Sequence, residues 1–231
     1  MAIPPAHVLE CRALLEPYND LRRERTAWAQ RIHAVLFHQG APALGEGALR
    51  TEKGVTALRE VAAAHLSPAG QLQVATALEV IDALEARLHV VRHQLTDAAR
   101  HLAGARALAA RLYGVGPVTA LALTCWLGGA GRFSSSRQAV RFAGLDITVH
   151  SSDRKGPPGR LSRQGPPVLR WAVYEAGKTH ARPSAPVHGY YATVKDREGG
   201  KRAALSEARK ILRQAHHILA ELGDDALAPA A

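Results

Sequence analysis

Apolar residues recur at helical spacing early in the chain. Leu14, Leu15, Tyr18, Leu21, Trp28, Ile32 and Val35 share one face, and Arg22, Arg23, Glu24, Arg25 and Arg31 mostly hold the other. The pattern predicts an amphipathic helix over His7 to Leu36, kinked or split at Pro17, which has no amide hydrogen to donate. Residues 39–54 are rich in Gly and Pro and read as loop. A short helix is predicted over 55–65, stopped near Ser67-Pro68, with Ser67 placed to cap the next helix and Pro68 at its first position. Val74, Leu78, Ile81, Leu84, Leu88, Val91, Leu95, Ala98 and Leu102 then step by threes and fours, which predicts one long helix from Pro68 to Leu112. The steps at Leu78, Ile81 and Leu84 are two threes in a row, a stammer. The remainder is a heptad seam suited to an antiparallel or dimeric coiled coil, with a buried bundle helix as the alternative.

Beyond Arg111 the texture changes. Gly, Ser and Pro punctuate shorter elements as far as Arg170. Arg132 to Gly144 reads as a short helix capped by one of Ser134, Ser135 or Ser136, and Asp146 to His150 as a short extended segment. A loop follows from Ser151, and Val168 to Thr179 and Glu207 to Leu222 read as helices. Asp224 to Ala231 is expected to fray. The predicted class is mainly α: long coiled-coil helices plus a small helical catalytic domain.

Composition supports that class and adds a partner. Ala and Leu dominate the 231 residues, aromatics are 5%, and hydrophobic residues are 47%, enough for a real core. Lys and Arg number 30 against 20 acids, a formal net charge of +10. Such a balance favours polyanions, meaning nucleic acid or an anionic membrane surface. Cys11 and Cys125 form no CxxC or Cys/His cluster, so neither a zinc site nor a disulfide framework is indicated, and a reducing cytoplasm is expected. No apolar run is long enough to span a membrane, and Met1-Ala-Ile-Pro-Pro lacks the order of a signal peptide.

Two stretches carry candidate chemistry. Leu112-Tyr113-Gly114-Val115-Gly116-Pro117-Val118-Thr119-Ala120 resembles a helix-hairpin-helix motif. There Gly114 and Gly116 would reverse the chain at positive φ, and the free amides of the second helix, with Thr119 in its first turn, would hold a DNA phosphate. A plain tight turn is the simpler reading. Ser151-Ser152 then opens a loop holding Arg154, Lys155, Arg160 and Arg163, with Asp153 its one acid. A hydroxyl among cations suits attack on a phosphodiester, because the cations stabilise charge as it develops. On composition alone, a solvated basic loop whose serines cap turns explains the same residues. His89, His93 and His101 sit at helical spacing without an acidic third ligand and read as a solvent-facing stripe. Tyr190-Tyr191 lacks the other parts of a tyrosine recombinase and reads as packing or DNA stacking. No GxSxG elbow or Walker loop occurs.

From Leu112 to Leu222 the chain resembles the C-terminal domain of bridge-RNA-guided insertion-sequence transposases of the 110/116/902 type, whose N-terminal domain is a DEDD nuclease-like fold. The resemblance rests on Gly114 to Ala120, Arg132-Phe133-Ser134, Arg141-Phe142-Ala143-Gly144-Leu145, Ser151-Ser152 and Gly159-Arg160-Leu161-Ser162-Arg163-Gln164-Gly165. Leu169-Arg170, Pro183 to Tyr191, Lys201 and Arg209-Lys210-Ile211-Leu212 complete the order. Leu14 to Leu36 is similar to the helix that follows the family's nuclease domain. The organisation expected is 1–54 (that helix and a loop), 55–111 (coiled coil), 112–223 (transposase domain with the helix-hairpin-helix-like turn) and 224–231 (disordered tail).

The resemblance implies a function. The position matching the family's nucleophile is Ser152; Asp153 stands where the family usually has Gly, which leaves Ser151 as a substitute. Arg154, Lys155 and Arg160 would stabilise the phosphoryl charge. Gly114, Gly116, Thr119, Arg163, Arg170, Arg209 and Lys210 would contact DNA. Ser162 matches a serine that binds or caps. The implied partners are DNA, a guide RNA and further copies of the chain joined through the coiled coil. No cofactor is expected in this chain, because Mg2+ belongs to the acidic domain it is expected to lack. The alternatives are a non-catalytic helix-hairpin-helix DNA-binding protein and a coiled-coil adaptor without DNA affinity.

Overall fold

A computed structural model describes residues 3–45, 47–148 and 160–229. The described residues form α1 (Ala6–His38), α2 (Glu52–His65), α3 (Pro68–Arg100), α4 (Ala103–Arg111), α5 (Pro117–Leu127), α6 (Ser136–Phe142), β1 (Ile147–Thr148), β2 (Arg160–Leu161), α7 (Pro167–Thr179), α8 (His188–Glu198) and α9 (Gly200–Leu222). The protein is mainly α, as its Ala- and Leu-rich sequence dictates. Its only described ladder is β1 against β2, antiparallel, with Ile147 opposite Leu161 and Thr148 opposite Arg160.

The chain divides into two compact units, Pro17–Arg92 and Met1–Glu16 with His93–Ala231. In the first, the seam of α3 is filled from the same chain. Val74, Ala77, Leu78 and Ile81 are buried with Ile32 and Leu36 of α1 and Leu58 and Ala62 of α2. Arg25 donates to Glu85 through Nε (3.0 Å) and Nη2 (2.8 Å), and the Ser67 amide donates to the Gln39 side chain at 2.8 Å. Residue 25 thus meets 85 while 39 meets 67, so α1 and α3 run antiparallel. Ser67 caps α3 through a 3.2 Å bond from the Gly70 amide, and Thr51 caps α2 through a 3.1 Å bond from Gly54.

In the second unit, α5 is apolar all round and buried from Ala120 to Leu127, the mark of a central helix. Helix α9 packs on α7 with small residues at the crossing. A β-carbon on Gly177 would run into the Ala204 carbonyl oxygen and stand 3.0 Å from the Ala208 nitrogen. Near the start of α1, Arg12 donates to the Cys125 carbonyl through Nε (3.0 Å) and Nη2 (2.6 Å). Cys11 and Cys125 are both buried and free.

Four expectations need correction. Helix α1 is not split at Pro17 but runs through it, losing one amide donor. The helix predicted from Pro68 to Leu112 stops at Arg100 and resumes as α4. Leu102, still in heptad register, is extended (φ −113°, ψ 121°) and bridges Pro229, so tertiary contact overrides the seam. Of the segment Asp224 to Ala231 that was expected to fray, the described part joins the 3-10 helix Gly223–Leu227 with Ala226 fully buried, and the Leu227 carbonyl lies 2.7 Å from His7 Nε2. Helix α9 starts at Gly200 rather than Glu207, and α8 was not predicted at all.

Gly177→Ala separates helix propensity from packing. Alanine favours an isolated helix by about 1 kcal/mol, but here the added carbon meets main chain that cannot rotate away. A net loss of about 1–3 kcal/mol is expected in urea unfolding; a gain would mean that α7 and α9 do not cross this closely.

Candidate nucleic-acid interface

Helices α4 and α5 are joined by residues 112–116. Gly114 takes φ +76°, and a side chain there would collide with the Thr179 hydroxyl, itself donating to the Ala176 carbonyl at 2.7 Å. Gly116 differs from expectation. It is extended (φ −76°, ψ 173°), so one glycine, not two, supplies the left-handed turn. Pro117 begins α5, and Thr119, half-buried, sits in its first turn.

The turn is held from behind by a buried polar chain. His180 Nε2 lies 3.3 Å from the Tyr113 carbonyl, and its Nδ1 3.1 Å from Glu207 Oε2. Glu207 is 1% exposed, and its other oxygen lies 3.2 Å from Lys210 Nζ. That ammonium also stands over the Tyr190 ring, 2.9 Å from its centroid, and the Tyr190 hydroxyl pairs with Ser206 at 2.8 Å. Tyr190 is 43% exposed, whereas Tyr191 is buried and donates to the Gly200 carbonyl.

The second assembly surrounds the turn 143–146, which leads from α6 into β1. Arg170 donates through Nη1 to the carbonyls of Gly165 (3.0 Å) and Ala143 (3.3 Å), and Arg209 through Nε to Leu145 (2.8 Å). The Arg163 amide reaches the Gly144 carbonyl at 3.1 Å, and Arg163 itself sits at φ +54°, unusual for a residue with a side chain. The Ser162 amide meets the Asp146 carbonyl at 3.0 Å, its hydroxyl donates to the Asp146 carboxylate, and Arg141 Nε lies 3.9 Å from the same carboxylate. Ser162 therefore clips the hairpin. Burial pulls the Arg170 and Arg209 guanidinium pKa values below the ordinary arginine value, aided by the charges of Arg163 and Arg213 respectively.

The expected catalytic residues Ser152, Arg154 and Lys155, with the alternative Ser151, lie outside the described residues. Arg160 is described through its backbone, which pairs with Thr148. Among the DNA-binding candidates, Arg163 and Arg170 gather at Gly144, Arg209 reaches Leu145 next to it, and Gly114, Gly116 and Thr119 belong to the turn. Lys210 is engaged with Glu207 and Tyr190. Among the described residues there is no cluster of three or more His, Cys, Asp or Glu side chains placed to hold a metal ion. No helix among them is long and apolar enough to cross a membrane.

Residues 106–192 match the profile described as "Transposase IS116/IS110/IS902 family". That stretch of the chain is similar to the transposase domain of that family. The chain is also similar to a "Probable family 20 transposase" of Pseudomonas aeruginosa, 27% identical over 165 residues, which are 71% of this chain and 48% of the relative. The chain thus spans about half the length of that relative. The matched stretch takes in most of α4, the Gly114 turn, α5, α6, β1 and β2, α7 and the start of α8. Helix α9, with Glu207, Arg209 and Arg213, follows the matched stretch.

Reading the sequence missed Asp146, His180, Glu207 and Arg141 as site residues. Asp146 and Ser162 flank the basic loop, a weak signal that was present. His180 and Glu207 are joined by no spacing a sequence displays. Replacing Glu207 by Leu keeps the volume but leaves His180 without its carboxylate partner. A loss of about 2 kcal/mol is expected in urea unfolding, with faster amide exchange at Gly114 and Val115; unchanged exchange there would detach the turn from this pair.

Proposed function

We propose that the chain is the serine-bearing recombinase part of an insertion-sequence transposase, acting on DNA in the cytoplasm. The observation that carries this reading is the family match over residues 106–192, which contains both the Gly114 turn and the loop that opens with Ser151-Ser152. Ser152 Oγ attacks a phosphodiester phosphorus. Its bond to phosphorus forms as the bond from phosphorus to the leaving deoxyribose oxygen breaks, and the hydroxyl proton passes to the leaving oxygen through solvent. The cut end stays esterified to the protein. Arg154, Lys155 and Arg160 stabilise the charge on the nonbridging oxygens, and the basic surroundings of the hairpin support that assignment.

The amides at the start of α5, presented beyond Gly114 and Gly116, meet a duplex phosphate in helix-hairpin-helix fashion, with Thr119 beside them. Arg163, Arg170, Arg209 and Lys210 make up the cationic surroundings. A guide RNA and a second copy of the chain are the further partners of this reading. Because Val74, Leu78 and Ile81 are occupied within the chain, a second copy would use other positions, such as the exposed Phe37 and Leu72. The division proposed remains 1–54, 55–111, 112–223 and 224–231.

The test is an adduct that survives denaturing electrophoresis, formed with end-labelled DNA carrying the element's termini. Ser152→Ala is expected to abolish the adduct while DNA affinity stays within about twofold, because one uncharged hydroxyl contributes little to phosphate binding. Loss in Ser151→Ala instead would move the nucleophile by one residue. Binding with no adduct in any form of the chain would leave a non-catalytic DNA-binding protein.

A further inference from the structure

Not every arginine near the hairpin is free to meet a ligand. Arg170 and Arg209 are half-buried and direct donors at main-chain carbonyls, at 3.0 Å to Gly165 and 2.8 Å to Leu145. Lys210 is taken up by Glu207 and the face of Tyr190. These three shape the wall. Arg141 and Arg213 are different. The Arg141 side chain is 81% exposed, and its nearest described carboxylate oxygen, on Asp146, is 3.9 Å away. Arg213 is exposed and makes no ion pair among the described residues. It stands one turn beyond Arg209 on α9, close enough that its charge depresses the Arg209 pKa after burial has done so. Like charges four apart on a helix destabilise it, and an acid at position 213 would relieve the repulsion. An anion from outside relieves it equally.

The two arginines belong to one patch. Helix α6, which carries Arg141, packs on α9. Asp146 lies beside Arg141 and also acts electrostatically on Arg209, so the series Arg141, Asp146, Arg209, Arg213 is continuous. Asp146 is the acid of that series, and its carboxylate already accepts the Ser162 hydroxyl. The patch is therefore a net cationic surface with two solvent-facing guanidinium groups on a base whose arginines are bonded to main-chain carbonyls. A guanidinium offers paired donors in a plane that fits two oxygens of one phosphate.

We infer that Arg141 and Arg213 are the phosphate-contacting cations of this face and that duplex DNA backbone is their ligand, while Arg170, Arg209 and Lys210 serve as its scaffold. The inference rests on the proposed action on DNA and singles out two residues to which the family match gives no role. Phosphate contacts of this kind release counterions, so each one adds about 0.9 to the slope of log affinity against log salt.

The experiment measures binding of the full 231-residue chain to a fluorescent DNA duplex between 50 and 200 mM salt. Arg141→Gln and Arg213→Gln are each expected to lower the slope by about 0.9, so that the deficit against wild type narrows by roughly 3.5-fold across that range, and the double variant by about 1.8. Their melting temperatures should not fall, and relief of the repulsion with Arg209 should raise that of Arg213→Gln slightly. Arg209→Gln and Arg170→Gln should lower the melting temperature instead. A salt-dependent wild type whose slope neither exposed-arginine variant alters overturns the inference and leaves the proposed DNA reading standing. A wild type with no salt-dependent DNA affinity overturns both. A slope change seen on an RNA duplex and not on DNA overturns the choice of ligand.

Discussion

The crossing of α7 and α9 is the contact on which the rest of the larger unit depends. Gly177 lets the Ala204 carbonyl and the Ala208 amide approach its backbone, and the small residues Ala203, Ala204 and Ala208 are buried along the crossing. Helix α9 carries Glu207, Arg209, Lys210 and Arg213 as one amphipathic rod. Fixing the rod against α7 fixes where each of those groups stands. Glu207 then meets His180 at the end of α7, and Arg209 meets the Leu145 carbonyl. The Gly114 turn and the hairpin stem are thus set by opposite faces of the same helix.

Positive charge in this protein does two different things. Part of it is internal joinery. Arg132 lies over the rings of Phe133 and Phe142, each 4.6 Å from centroid, and donates to the Trp126 carbonyl; Arg12 holds the Cys125 carbonyl. Both satisfy carbonyls that would otherwise be buried without a donor. Arginine suits this work because its planar fork can satisfy a carbonyl with one edge and cover an aromatic ring with its face. The remaining charge faces solvent. A count of basic residues, which first pointed to a polyanion, cannot divide the two populations.

Much of the architecture was legible. The helical periods of Leu14 to Val35 and Val74 to Leu95, the cap at Ser67, the helix ending at Thr179 and the apolar run of α5 all express local pattern that packing then used. The break at Leu102 was not legible, because its spacing continues the heptad and the stop comes from contact with Pro229. Helix α8 was missed since His188-Gly189-Tyr190-Tyr191 offers no clear apolar stripe, and α9 was begun late because Gly199-Gly200 reads as a break. At the candidate site, the residue types and the turn were visible, but which cations face inward was not. The bonds from Arg170 to Ala143 and from Arg209 to Leu145 join residues 27 and 64 positions apart. They end on main-chain oxygens, which every residue type has, so no pairing of residues in the sequence marks them.

The left-handed backbone of Arg163 has an evolutionary consequence. A residue with a β-carbon held at φ +54° forfeits about 1 kcal/mol that glycine would recover. A gene copy released from selection therefore has an inexpensive downhill step at this codon, since glycine improves the backbone and only the charge is lost. An arginine kept here is held at a conformational cost, so Arg163→Gly would weigh the worth of its side chain directly against the ease of its backbone.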